Sequence, residues 1–174
     1  MKNERARIRS SRGFTLAETL MAILILLMVT AIVAAGIPVA SNALKKAVEA
    51  SHAQVLLSTT MTALRDELTT AKNIPDLGGS NDTTIDYTDE NGVESKIYLA
   101  SNGIMLEKEY PSETKSRLLV SQKAATSDLY AEFTDASYDR DAGVLTISGL
   151  TVKRGNGSTI ADLDDLEFKI KVVG

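Results

Sequence analysis

The sequence contains no cysteine. Disulfides, thiolate metal sites and cysteine nucleophiles are therefore excluded, and any folded domain must hold itself together by packing. Tryptophan is also absent, and aromatic residues make up only 5% of the chain. A core must rest on Leu, Ile, Val and Ala. Histidine occurs once, at His52, which gives a histidine metal site or a Ser-His-Asp triad little to draw on. Ser51 and Ser58 have no acid or base at a useful spacing. No Gly-rich phosphate loop is present, so nucleotide binding has no support. The chain offers no catalytic, cofactor-binding or metal-ligating set and does not read as an enzyme.

What is present is unevenly distributed. The 174 residues are 44% hydrophobic and 24% charged, a globular composition. The net charge of -4 hides a split. Lys2, Arg5, Arg7, Arg9 and Arg12 against Glu4 give residues 1–13 a net +4, which leaves -8 on the rest. An acidic body gives no sign of nucleic-acid binding.

Residues 20–40 read LMAILILLMVTAIVAAGIPVA, with no charge and one polar side chain, Thr30. A run of this length crosses a bilayer core as a helix. The basic block before it predicts a cytoplasmic N-terminus and an outer C-terminal portion. A secretory signal peptide is the main rival, and Val33-Ala34-Ala35 offers a small-residue cleavage site. The apolar run is too long for one, and Glu18 stands near its start.

The helical pattern continues past the apolar run. Ala43, Ala47, Ala50, Gln54, Leu57, Met61, Leu64, Leu68 and Ala71 alternate steps of four and three, which predicts an amphipathic helix. His52 falls on its polar side as an ordinary surface residue. Asn73 and Pro75 end the pattern, and Gly78-Gly79-Ser80 reads as a loop. One helix from about residue 14 to about 72 would be on the order of 90 Å long. Gly36 and Pro38 are expected to kink it.

Residues 83–87, 93–99, 104–110, 117–122, 129–133, 144–148, 150–153 and 166–173 read as strands between turn signals. Asn91-Gly92 and Asn102-Gly103 favour tight hairpins. In the last stretch Leu166, Phe168, Ile170 and Val172 share one face. The expected fold is α+β: a long N-terminal helix, transmembrane and then amphipathic, packed on one C-terminal antiparallel sheet of about four to six strands.

Ahead of the apolar run stands RSSRGFTLAETLMAILILL. Gly13, Phe14, Thr15, Leu16 and Glu18, between a basic leader and an uninterrupted apolar helix, resemble the prepilin signature of type IV pilins and type II secretion pseudopilins. The detailed resemblance covers about the first 45 residues; beyond them it concerns a pilin-like architecture only. It divides the chain into a leader (1–13), a transmembrane helix (14–40), an amphipathic continuation (41–72) and a β-sheet domain (73–174). It implies cleavage between Gly13 and Phe14 by a prepilin peptidase, N-methylation of Phe14, and a subunit-assembly role for Glu18. The implied partners are other pilin or pseudopilin subunits, the peptidase, an inner-membrane assembly platform, and membrane lipid before assembly. The implied location is the plasma membrane and then an extracellular filament.

Two departures matter. Many pilins of Gram-negative bacteria carry a C-terminal disulfide, and this chain has none, which inclines the reading toward a Gram-positive source or a pseudopilin. The tip pseudopilin commonly lacks the glutamate, whereas Glu18 is present. Some pseudopilins bind calcium near the C-terminus, but Asp162, Asp164 and Asp165 match no calcium-loop spacing and read as a solvated surface. The alternative function is a single-pass, membrane-anchored binding protein that keeps its N-terminus.

Overall fold

The computed structural model describes residues 14–75, 77, 82–120, 128–163 and 167–173. The sequence features placed on residues 1–13, on Gly78-Gly79-Ser80, on residues 121–122 and on Asp164, Asp165 and Leu166 lie outside them. The chain resolves into two compact units, Met1–Lys45 and Lys46–Gly174.

Helix α1 (Leu16–Leu68) begins in the first unit and ends in the second. Its composition is dominated by Leu, Ala, Ile and Met, mostly good helix formers. Helical backbone continues through Pro38, inside the helix, rather than breaking there. Proline removes one backbone donor, and the surrounding turns of strong helix formers sustain the helix across it. Thr30 places its hydroxyl on the carbonyls of Leu26 and Leu27, so the single polar side chain of residues 20–40 is satisfied within its own helix. The helix closes at Leu68, short of the expected residue 72, and the chain turns through Asn73 at φ +53°. Asparagine is among the few side chains that tolerate that conformation.

In the second unit the helix buries Ala53, Leu56, Leu57, Thr60, Leu64 and Leu68. The stripe read from the sequence contained Leu57, Leu64, Leu68 and Ala71 correctly. It missed Ala53, Leu56 and Thr60, and included Gln54, Ala43 and Ala47, which are exposed. The helix carries apolar residues on more than one face, Val48 and Val55 among the exposed ones. Periodicity alone then leaves the angle of the buried face ambiguous.

Ten strands follow among the described residues, in three antiparallel sheets where one was expected. β1 (Thr84–Thr88), β2 (Glu94–Ala100), β3 (Gly103–Tyr110) and β4 (Glu113–Leu118) form a four-stranded meander. β5 (Leu129–Glu132), β8 (Thr151–Arg154) and β9 (Thr159–Asp162) pair in the order β5-β8-β9. β6 (Asp135–Asp139), β7 (Val144–Ser148) and β10 (Phe168–Lys171) pair as β10-β7-β6. The unexpected β6 and β9 are short and carry little apolar alternation. Such strands form by pairing with a neighbour rather than by intrinsic preference. β4 lies earlier than expected because the turn at Pro111 and Ser112 opposes Tyr110 to Glu113 and fixes its register.

Both Asn-Gly pairs do lie in turns. The β1–β2 connection runs through residues 89–93, with Gly92 at φ +80°. The β2–β3 connection is Ser101 and Asn102, and Gly103 follows at φ +126° and opens β3. That conformation suits glycine alone.

All three sheets and α1 share one apolar core. Ile85, Ile97 and Leu106 come from the first sheet, Leu129 and Val152 from the second, and Leu145, Ile147, Phe168 and Ile170 from the third. The Phe168–Ile170 alternation read from the sequence places both inside, with Lys169 and Lys171 outside. Ile97 is fully buried between β1 and β3. Trimming it to valine is expected to cost about 1 kcal/mol, read as a lowered denaturation midpoint of the detergent-extracted chain. No change in midpoint would mean that the core tolerates a methylene-sized void at that point.

Candidate functional site: the N-terminus of the long helix

The helix start is built by a local exchange of hydrogen bonds. Thr15 precedes the first helical turn, and its hydroxyl accepts from the Glu18 amide at 3.3 Å. The Glu18 carboxylate accepts in return from the Thr15 amide at 2.9 Å and from the Thr15 hydroxyl at 3.0 Å. This is a capping box, in which residues three apart satisfy each other's orphan donors. Glu18 in the first turn also meets the positive end of the helix dipole. The Thr-x-x-Glu spacing is legible in the sequence, although Thr15 was read there only as a motif residue.

Phe14 stands just ahead of this cap and is 83% exposed, and Gly13 lies outside the described residues. Every residue from Phe14 to Val48 is exposed. Leu24, Leu27, Ile32 and Ile37 are among the aliphatics left uncovered. From Phe14 to Leu44 the only charged residue is Glu18. The helix is long and apolar enough to cross a membrane.

Within the second unit, one helix face stays uncovered. Ala47, Val48, Ser51, Gln54, Val55, Ser58, Thr59 and Thr62 are all exposed, and none is charged. Thr59 and Thr62 turn their hydroxyls onto the carbonyls of Val55 and Ser58. That leaves a surface of methyls and small groups. Another face is tied to the sheets. Glu49 accepts from the Arg154 guanidinium, and the Arg154 pKa is raised by that hydrogen bond. His52 is half-buried rather than fully exposed.

A second polar cluster fixes the end of the helix. Lys108 on β3 donates to Glu67 at 2.6 Å and to Asp89 at 3.0 Å. The Tyr87 hydroxyl donates to the same Glu67 oxygen at 2.8 Å. Burial and the adjacent Glu67 carboxylate push the Tyr87 phenol well above its usual range. Asp89 also accepts from the amides of Asn91 and Val93. The sequence marks Asn91-Gly92 as a hairpin turn, and Asp89 leads into it. One Asp89 oxygen does serve the turn, and the other holds Lys108. Nothing local in the sequence joins residues 67, 87, 89 and 108, so this cluster and the Glu49–Arg154 pair were not anticipated.

Among the described residues no group of three His, Asp or Glu side chains is placed to hold a metal ion. Asp162 lies at the end of β9.

The prokaryotic N-terminal methylation motif matches residues 8–34. The chain carries the prepilin-type signature. No curated protein and no solved structure matches it. The match spans the end of the basic leader, the capped helix start and most of the apolar run, and it contains the residues Gly13 to Glu18 that the resemblance rested on. The signature marks structural subunits of type IV pilins and pseudopilins, which in general assemble with other such subunits and meet a prepilin peptidase. The long exposed apolar helix of the pilin-like chain fits a membrane-anchored pilin, and its α+β fold is consistent with the pilin architecture.

Proposed function

We propose that the chain is the precursor of a structural subunit, a minor pilin or pseudopilin, in a type IV pilus-like filament, and that it catalyses nothing. Residues 1–13 are a leader held in the cytoplasm by their basic charge. A prepilin peptidase cuts between Gly13 and Phe14, and Phe14 is then N-methylated. Residues 14–40 anchor the subunit in the plasma membrane, residues 41–72 continue that helix, and residues 73–174 form the head outside. An inner-membrane platform then passes the subunit into an extracellular filament.

The observation that carries this reading is the methylation-motif match over the apolar stretch from Phe14 to Leu44, whose only charged residue is Glu18. A carboxylate at the edge of hydrocarbon costs a few kcal/mol unless it is paired. Cleavage creates an α-amine four residues before it, and such an amine on a neighbouring chain makes the natural partner. Cutting also removes a net +4 from the membrane anchor, which eases extraction. The uncharged free face of α1 supports helix-to-helix packing, and Ala31, Ala34, Ala35 and Gly36 allow close approach.

Mass spectrometry of the membrane-extracted protein tests the maturation step. The expected N-terminus is methylated Phe14, and Gly13→Val is expected to accumulate the uncut precursor. An intact Met1, a cut near Ala35, or normal processing of Gly13→Val would refute the reading and favour an anchored binding protein or a secreted one.

A further inference from the structure

The β3–β4 hairpin presents two charged faces that the helix-based reading leaves unused. β4 is exposed from Glu113 to Arg117, so this edge strand stands clear of the core that β3 enters through Ile104 and Leu106. Its register separates the charges. Glu107 opposes Ser116 on β4, and Glu109 opposes Thr114 on β4 and Glu94 on β2. Lys115 opposes Lys108, and Arg117 opposes the buried Leu106. Strand alternation puts Glu94, Glu107 and Glu109 on the outer face with Asp86 and one cation, Lys96, and puts Lys115 and Arg117 on the other with Glu113.

Lys96 opposes Glu107 and pairs with Asp86 at 3.5 Å, but the Glu94–Glu109 end of the outer face is electrostatically unfavourable as it stands. Glu94 and Glu109 are exposed and directly opposed, and neither has an ion-pair partner among the described residues. Like charges so placed destabilise a strand pair. On the opposite face Arg117 also has no ion-pair partner among the described residues. Lys115 holds Glu113 at 2.7 Å, with both side chains more than half exposed. Such a surface pair is weak and readily exchanged. The two sets also match in spacing. Glu107 and Glu109 are two residues apart on one strand, as are Lys115 and Arg117, which sets each pair about 7 Å apart.

We propose that these faces bind each other between copies of this chain: the acidic face of one head receives Lys115 and Arg117 of the next. The two surfaces differ, so the contact is heterologous and propagates as an open helical array. A contact of this kind sets orientation and register more than affinity. It rests on the filament-subunit reading, and adds to the helix core a second, head-to-head contact.

The absence of cysteine makes the test direct. Full-length chain carrying Glu109→Cys and Arg117→Cys is expressed in its membrane and mildly oxidised. The two positions lie on opposite faces of the sheet and cannot bridge within one chain. A ladder of dimers, trimers and higher species is expected from the double variant, and none from either single variant. Dimers from a single variant would mean a symmetric contact and would overturn the proposal. Charge reversal supplies a second readout. Glu107→Lys with Glu109→Lys, or Lys115→Glu with Arg117→Glu, is expected to lower filament-borne subunit about tenfold at unchanged membrane level. All four changes together are expected to restore most of it, and failure to restore counts against the pairing. No ladder from subunit matured at Phe14 overturns this inference alone. No ladder from unprocessed subunit overturns the filament reading and this inference with it.

Discussion

Replacing Glu18 with alanine is expected to leave the subunit in the membrane and cut at Gly13-Phe14, yet absent from sheared filaments. The local cost of the change is small. It removes half of the capping box with Thr15, a loss of about 1 kcal/mol at most for the first turn. A helix of 53 residues does not unfold for that. The larger effect is the lost partner for the amine of the neighbouring chain. Glu18→Gln separates the two contributions, because glutamine also serves at this position of a capping box. It keeps the cap and removes the charge. If pairing with an amine is what matters, Glu18→Gln fails in filament assembly as completely as Glu18→Ala. If Glu18→Gln assembles normally, Glu18 is only a cap, and the charge-pairing role is wrong. Immunoblots of sheared and membrane fractions, with the N-terminal mass taken from the same sample, read both outcomes.

The legible and illegible parts of this molecule differ in kind. The helix was readable because its information is local: an apolar run, the basic block before it and the Gly13–Glu18 motif between them lie within a few turns of each other. So was β10, where Phe168 and Ile170 alternate with lysines. The angle of the buried helix face was not readable. Val48 and Val55 extend the apolar pattern onto a face that the head leaves open, so periodicity pointed between two faces. β6 and β9 were missed because their residues become strands only through β7 and β8. The division into three sheets depends on the order of pairing, for which short strands carry no local mark. The same holds for Arg154 and Glu49, 105 residues apart. The helix start could be read in advance because its hydrogen bonds join neighbours. The clusters that fasten helix to sheet could not, because their partners meet only in the folded chain.

Lys108→Met is expected to give a large loss of stability for a change at a polar residue of the head. Methionine keeps the apolar stem and deletes the ammonium, so Glu67 and Asp89 lose their shared counter-ion. Breaking a buried pair in this way costs about 3–5 kcal/mol. Lys108 and Glu67 retain 20% and 17% of their side-chain exposure, which brings the expected cost to about 2–3 kcal/mol. The pH dependence gives a second, independent reading. Burial raises the pKa of Asp89, but hydrogen bonds from Val93, Lys108 and Asn91 outweigh it and hold the carboxyl below its usual range. Its contribution is therefore complete above about pH 4 and is lost as the pH falls through the depressed value. Burial lowers the pKa of Lys108, but Glu67 and Asp89 outweigh it and hold the ammonium above its usual range. That contribution is complete below about pH 10 and is lost as the pH rises through the elevated value. Wild-type stability should therefore be flat between these limits, as far as this cluster decides it. In Lys108→Met the alkaline loss due to residue 108 disappears. The acid limb moves to higher pH, because Asp89 no longer has the ammonium to keep it ionised. Pulse proteolysis of the detergent-extracted chain across pH 2–11 measures both limbs. An acid limb that stays in place would show that the Asn91 and Val93 amides alone hold Asp89 ionised, and that Lys108 is not the fastener between the end of α1 and the first sheet.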